Sequence, residues 1–235
     1  MGYLAIGNNA KTIKSDMGGE YLTAIMYLRP NLNICAMSEL AQCIKACLNT
    51  TGRGAMNCIQ EARQRKTDAF ESDPVAFVDQ LKVEVQKFLN KATKKGVKLA
   101  VRLNGTSDIA WENMKGSDGV TVIDAFPMVQ FYDYTKLPNR KVPANYHLTV
   151  SYSGANAKYA EKVLKTEHNI AVVFRNKEDM PAFWNGREVI DGDRDDLRFL
   201  DPSKVVVGLY AKGKAKKDYT GFVVDVPANV IALAA

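Results

Sequence analysis

The chain has 235 residues, 46% hydrophobic and 25% charged, an ordinary globular composition long enough to bury a sizeable core. No apolar run approaches the length that spans a bilayer, which excludes a membrane-spanning helix. A formal net charge of +6 is too mild for a protein that coats DNA, but it suits an anionic partner such as a nucleotide, a cofactor phosphate or a nucleic acid.

The opening MGYLAI has no basic segment followed by an apolar one, and Ile6 stands where a myristoylation signal has Ser or Thr. The chain therefore reads as cytosolic, where a cysteine cluster points to metal binding or catalysis rather than to disulfides. Residues 7–19 (GNNAKTIKSDMGG) are polar and glycine-rich and predict a loop or ragged start. In residues 20–28, Leu22, Ala24, Ile25, Met26 and Leu28 are nearly continuous, as in a parallel strand buried on both faces. Arg29-Pro30 ends it, and the stretch Cys35–Gly54 (CAMSELAQCIKACLNTTGRG) follows.

From Met56 the sequence turns helical. A second helix starts at Asp73-Pro74, with Asp73 as cap and Pro74 at the first helical position. Val75, Phe77, Val78, Leu81, Val85, Phe88 and Leu89 keep helical spacing, and Lys94-Lys95-Gly96 reads as a stop. Further strands are predicted at 97–103, 129–134, 146–152, 169–174 and 204–210, with a helix-like stretch over 155–166 and a short extra strand in GFVVDV. Alternation of strands with partly helical connections predicts an α/β fold with mostly parallel strands. Six strong strands rather than eight point to a single-domain, partial (β/α)6 barrel over 1–235. Residues 226–235 read as an apolar tail, either docked on the body or exposed as a degradation signal.

In such folds the working residues gather at the carboxyl ends of the strands. Arg102, Asn104, Thr106, Ser107 and Asp108 follow one strand; Asp133, Tyr134 and Lys136 close the next. Asp108 and Asp133 are candidate general bases or ligands, and Lys136 a candidate Schiff-base or anion-binding lysine. Arg53, in a Gly-Arg-Gly turn leading to a helix, joins Arg102, Asn104, Ser107 and Tyr134 as a candidate substrate contact. Cys35, Cys43 and Cys47, spaced C-x7-C-x3-C, are the candidate metal ligands, since three thiolates leave one position open on a zinc ion or an iron–sulfur cluster. Packed free thiols are the alternative. The spacing matches neither a zinc finger nor C-x3-C-x2-C; only the placement, directly after the first strand, resembles radical-SAM partial barrels. Asp191, Asp193 and Asp195 alternate as in a calcium loop, but Asp196 takes the place of its glycine and Pro202 that of its glutamate, which excludes an EF-hand; salt bridges to Arg194 and Arg198 are expected, with a carboxylate cluster for Mg²⁺ as the alternative.

Taken together, GRGAMNCIQEARQRKT, VRLNGTSDIAWE, VQFYDYTK, NYHLTVSYS, VIDGDRDDLRFLD and KGKAKKD resemble a phage-encoded family of the gene-product-eighty-eight type. The resemblance implies a phage or prophage origin, hence the cytoplasm of an infected bacterium, and carries no activity with it. The leading expectation is a phage enzyme of an anionic, nucleotide- or nucleic-acid-related substrate, with a 4Fe–4S cluster or another metal on the three cysteines. S-adenosylmethionine is the natural cofactor for an open iron. A metal-free enzyme at the same rim, and a protein that sequesters a host nucleotide or blocks a host protein, are the alternatives.

Overall fold

The computed structural model of the chain describes residues 2–7, 10–17 and 19–226. Its start is more ordered than its polar composition predicts. β1 (Leu4–Ile6) pairs antiparallel with β2 (Tyr21–Met26), and α1 (Ala10–Met17) occupies the connection expected to be a loop. Tertiary partners hold this segment. Tyr3 and Leu4 donate their backbone N–H groups to the Glu84 carboxylate, with Leu4 at 2.7 Å, and Asp16 Oδ1 accepts from Thr23 Oγ1 at 2.8 Å. A strand of three residues carries too little periodicity to be read from sequence.

After the cysteine stretch, α2 (Asn57–Ser72) and α3 (Pro74–Lys94) lead to β3 (Lys98–Arg102). α3 starts as its sequence predicts: the Asp73 carboxylate accepts the Ala76 N–H at 3.0 Å, and Pro74 sits where no backbone donor is needed. Its Phe77, Val78, Leu81 and Val85 bury against Leu22, Ala24, Met26, Leu99 and Val101, forming the main core on one face of the sheet. Next come α4 (Val122–Ala125), β4 (Gln130–Thr135), β5 (Tyr146–Ser151), α5 (Ala157–Leu164) and β6 (Ile170–Phe174). α5 packs Tyr159 and Val163 on Val150, Ile170, Val172 and Phe174. An unforeseen hairpin of β7 (Phe183–Trp184) and β8 (Arg187–Asp191) turns at Asn185-Gly186, both at positive φ. Asn-Gly between two short apolar runs is the sequence signal for such a turn. β9 (Val206–Tyr210) and β10 (Val223–Val224) complete the set.

The sheet has the order β1-β2-β3-β4-β5-β6-β9-β8-β7, and β10 pairs with β6. β2 through β6, β9 and β8 run parallel to one another; β1 pairs antiparallel with β2 and β7 antiparallel with β8. It is a single open sheet with β1 and β7 at its edges, and residues 136–145 join β4 to β5 without a helix. The predicted mostly parallel α/β architecture is thus present, without six complete β/α units. Among the described residues no helix is long and apolar enough to cross a membrane. The predicted apolar tail lies, beyond Val226, outside the described residues.

The α3 cap gives a direct check on this organisation. Asp73→Ala removes the side-chain acceptor and should lower unfolding free energy by about 1 kcal/mol. Urea titration of both proteins measures it; a change near zero would mean that the helix start is held by its packing alone.

Candidate functional site

The segment between β2 and α2 lies across the carboxyl ends of the parallel strands. Gly105 N–H donates to Met26 O at 3.0 Å, Asp108 N–H to Ile34 O at 2.8 Å, and Ser153 Oγ to Ala41 O at 2.8 Å. Further along, Ala46 packs with Ala211, Ala215 and Val223. One segment is therefore fastened to the ends of β3, β5 and β9 in turn. The approach at β3 requires glycine: a Cβ on Gly105 would stand 2.5 Å from Met26 O and 2.7 Å from the Tyr27 ring.

All four cysteines are free thiols; Cys35, Cys43 and Cys47 are half-buried and Cys58 is exposed. Burial pushes the Cys35 thiol up to about 12, with Asp108, Cys47 and Cys43 adding to the rise and Lys136 opposing it. Burial likewise raises Cys47, which is affected by Cys43, Lys136 and Arg63 and whose Sγ accepts the Asn49 N–H at 3.4 Å. The folded segment thus brings the three predicted thiols, Asp108 and Lys136 into one electrostatic neighbourhood. Among the described residues, however, no three His, Cys, Asp or Glu side chains form a group spaced to hold a metal ion. The arginine beside Cys47 is Arg63 rather than the predicted Arg53, which is exposed. Arg63 Nη1 donates to Asn49 O at 2.6 Å, and its guanidinium lies 4.9 Å from the Tyr27 ring centre. Nothing in the sequence distinguished Arg63, one of several polar residues on α2.

Asn104 and Ser107 build the loop after β3. Asn104 Oδ1 accepts from Ser107 Oγ, the Ile109 N–H and Trp111 Nε1, at 2.8, 3.0 and 3.1 Å. This turn presents Asp108, whose Oδ2 accepts the Lys136 backbone N–H at 2.8 Å. Asp108 Oδ1 is buried, lies 3.6 Å from Arg140 Nη1 and has no hydrogen-bond partner. Arg140 is held elsewhere, by Glu112 at 2.6 Å and the Tyr146 hydroxyl at 3.2 Å.

Asp133 points away from Arg102 and Tyr134. Successive side chains of a strand alternate between faces, so Asp133 shares the helix-covered face with Phe131. It is 0% exposed and accepts from the Asn104 N–H at 2.7 Å and the Tyr146 hydroxyl at 2.8 Å. Burial raises its carboxyl to about 7, against the lowering effects of Arg102, Asn104 and Tyr146. A value near neutrality suits a general base, but a base must reach its substrate. In this structure the carboxylate instead joins β3, β4 and β5.

On the other face, Arg102 Nη1 lies 3.2 Å from both Asp196 oxygens, and its guanidinium stacks 4.8 Å from the Tyr134 ring centre. Tyr132 donates to Asp196 at 3.1 Å. Burial works to lower the Arg102 pKa, and Asp196 with Tyr134 and Tyr132 raise it overall. The acidic segment forms salt bridges as expected: Asp195 to Arg194 at 3.1 Å and to Arg198 at 2.7 Å. Asp193 binds Lys11 and Lys212, each at 2.7 Å. Several buried atoms on and over this face have no hydrogen-bond partner, among them Arg102 Nε, Thr149 Oγ1, His147 Nε2 and Arg198 Nη1. Burial first, then His168 and Arg198, bring His147 down to about 4, so it is neutral at physiological pH.

Residues 4–226 match a family model described as Gene product 88. No curated protein and no solved structure matches the chain.

The Asp133 geometry sets a pH dependence. An unfolded aspartate titrates near 4, and the folded one near 7. Between these values the unfolded chain is ionised while the folded chain keeps the proton, so stability falls as pH rises from about 4 to about 7. Asp133→Asn removes that titration. Across this window the wild type should lose stability relative to the variant, then run parallel to it above about pH 8. Urea unfolding at several pH values reads the difference; parallel curves throughout would return Asp133 to an ordinary, solvated carboxylate.

Proposed function

We propose, for a chain that belongs to the Gene product 88 family, a phage enzyme that works on an anionic, nucleotide- or nucleic-acid-related substrate at the carboxyl rim of its parallel strands. The observation that carries this reading is convergence. Cys35, Cys43 and Cys47 come from the segment after β2, Asp108 from the loop after β3 and Lys136 from the end of β4, yet the charges of the other four act on the Cys35 thiol. Parallel sheets place ligands at these ends. Lys136 would meet a phosphate or carboxylate as a point charge. Asp108, paired with Arg140 at 3.6 Å, would help to set the charge of the rim beside the thiols. The sequential order β2 to β6 is compatible with a partial barrel; Arg102, Tyr132, Tyr134 and Thr149 share the sheet face away from the main helices.

The donor chemistry supports a thiophilic metal on Cys35, Cys43 and Cys47. Burial and the neighbouring Cys43 and Cys47 disfavour ionisation of Cys35, and a bound cation would reverse that by favouring the thiolate. The Asn49 N–H on Cys47 is the kind of bond that tunes a cluster sulfur. Bound there, an iron–sulfur cluster would supply a redox centre with one open iron, for which S-adenosylmethionine is the natural cofactor. One observation favours a second reading, a metal-free enzyme at the same rim: the thiols are not spaced as a ligand set.

Anaerobic purification, with iron and sulfide analysis, separates the two. The first reading expects about four irons and about four sulfides per chain, absent from Cys43→Ser/Cys47→Ser. A colourless, metal-free protein removes the metal and leaves the second reading, which expects nucleotide binding to survive in that double variant. Both readings expect Lys136→Ala to weaken binding at least tenfold with little change in melting temperature, because its ammonium group lies at the rim rather than in the core. Unchanged binding in Lys136→Ala would move the site elsewhere.

A further inference from the structure

Tyr219 is 80% exposed, yet its ring is held in place. The Arg175 guanidinium lies 4.4 Å from the ring centre. Arg175 is itself fixed: Nε and Nη2 donate to the two Asp225 oxygens at 2.7 and 2.9 Å, and Nη1 to the Lys216 carbonyl at 3.2 Å. On the other side the buried Asp218 accepts from Thr220 Oγ1 and the Val223 N–H, which fixes the turn that carries the ring. The ring adds little to the core, and the cation behind it leaves its outer face to solvent. Lys214, Lys216 and Lys217 are exposed on the preceding 3-10 turn, Gly213–Lys217. Beside the ring lies a groove of about 310 Å³, walled by Tyr152, Gly154, Tyr219 and Gly221 among others. Its carboxylate, Asp225, is already engaged by Arg175.

We propose that this surface binds single-stranded nucleic acid. An unpaired base stacks on the outer face of Tyr219 and lodges in the groove, while Lys214, Lys216 and Lys217 meet the backbone phosphates. An aromatic ring with adjacent cations is how strands are held without sequence preference, because every base has a π-face and every nucleotide a charge. Arg175 settles the ring before the ligand arrives, so less conformational freedom is lost on binding. A duplex has its bases stacked and offers none to the ring. A lysine patch alone would suit any polyanion; the rigid ring and the groove single out an unpaired base. The surface adjoins the rim: Phe222 lies 5.4 Å from Lys136 Nζ, and Ala215 packs with Ala46 of the cysteine segment. Binding at Tyr219 stands by itself; that the bound strand is also the substrate rests on the function proposed above.

The test is fluorescence anisotropy of the full chain with labelled oligothymidylate and oligouridylate of about twelve nucleotides, titrated across salt. Binding of either is expected, with Tyr219→Ala about tenfold weaker or more and Tyr219→Phe close to wild type. Replacing Lys214, Lys216 and Lys217 by Ala should flatten the salt dependence by about 0.7 in log–log slope for each phosphate that is no longer neutralised. A hairpin duplex should bind more weakly than the single strand. Equal affinity for duplex and single strand, unchanged affinity in Tyr219→Ala, or no binding at low salt would each overturn the site. The readout needs neither turnover nor metal. An inactive, metal-free protein that still depends on Tyr219 would retire the rim enzyme and keep this site; an active enzyme indifferent to Tyr219 would do the reverse.

Discussion

The candidate site depends on the hydrogen bonds that Asn104 and Asp133 make at the ends of β3 and β4. Asn104 folds the loop from 104 to 111 about its side-chain oxygen, and Asp133 ties that loop to β5 through Tyr146. Asp108 owes its position to this arrangement. It then serves both neighbours, donating its N–H to Ile34 of the cysteine segment and accepting the N–H of Lys136. These groups are buried, where an unmade hydrogen bond costs far more than a made one contributes. The network is therefore specific: one altered partner leaves several orphans, and the thiols, the carboxylate and the lysine lose their common frame.

The two faces of the sheet are stabilised by different physics. Against α2, α3 and α5 the contacts are apolar, and removal of side chains from water supplies the gain. The other face carries Arg102, Tyr132 and Tyr134 under Asp196, with Arg198 between Asp195 and Asp201. Buried ion pairs gain little net stability, because desolvation offsets their attraction. Burial raises Asp201 to about 6 even against the pull of Arg198, in keeping with that cost. This face is thus held by charges paired with one another rather than by an apolar layer.

The cysteine segment and residues 211–223 meet beside the carboxyl ends of the strands. Ala46 packs against Ala215 and Val223, and Lys136 reaches over Phe222. Ala215 belongs to the lysine turn, so that turn adjoins the cysteine segment. The positive charge that composition showed only as a total is in part concentrated there.

Much of the frame was legible in the sequence. Short apolar or alternating stretches bounded by polar residues located the six main strands, and Asp73-Pro74 and Gly96 bounded α3, because these signals are local and each residue acts on its own backbone. Asn185-Gly186 was equally local and could have revealed β7 and β8. β1 could not be read, since Glu84, 80 residues away, holds it, and α1 is a short helix tied to Thr23 of β2 within a polar, glycine-rich stretch. The site was legible as a set of strand ends and no further. Alternation along β4 says that Asp133 and Tyr134 face opposite ways, but not which face the helices cover; packing put Asp133 in the core and Tyr134 beside Arg102. The spacing of Cys35, Cys43 and Cys47 likewise specified a shared segment and no distances between thiols. Identity and local pattern determine which groups are available, whereas burial and neighbouring charge, which set their chemistry, arise only when distant segments close over one another.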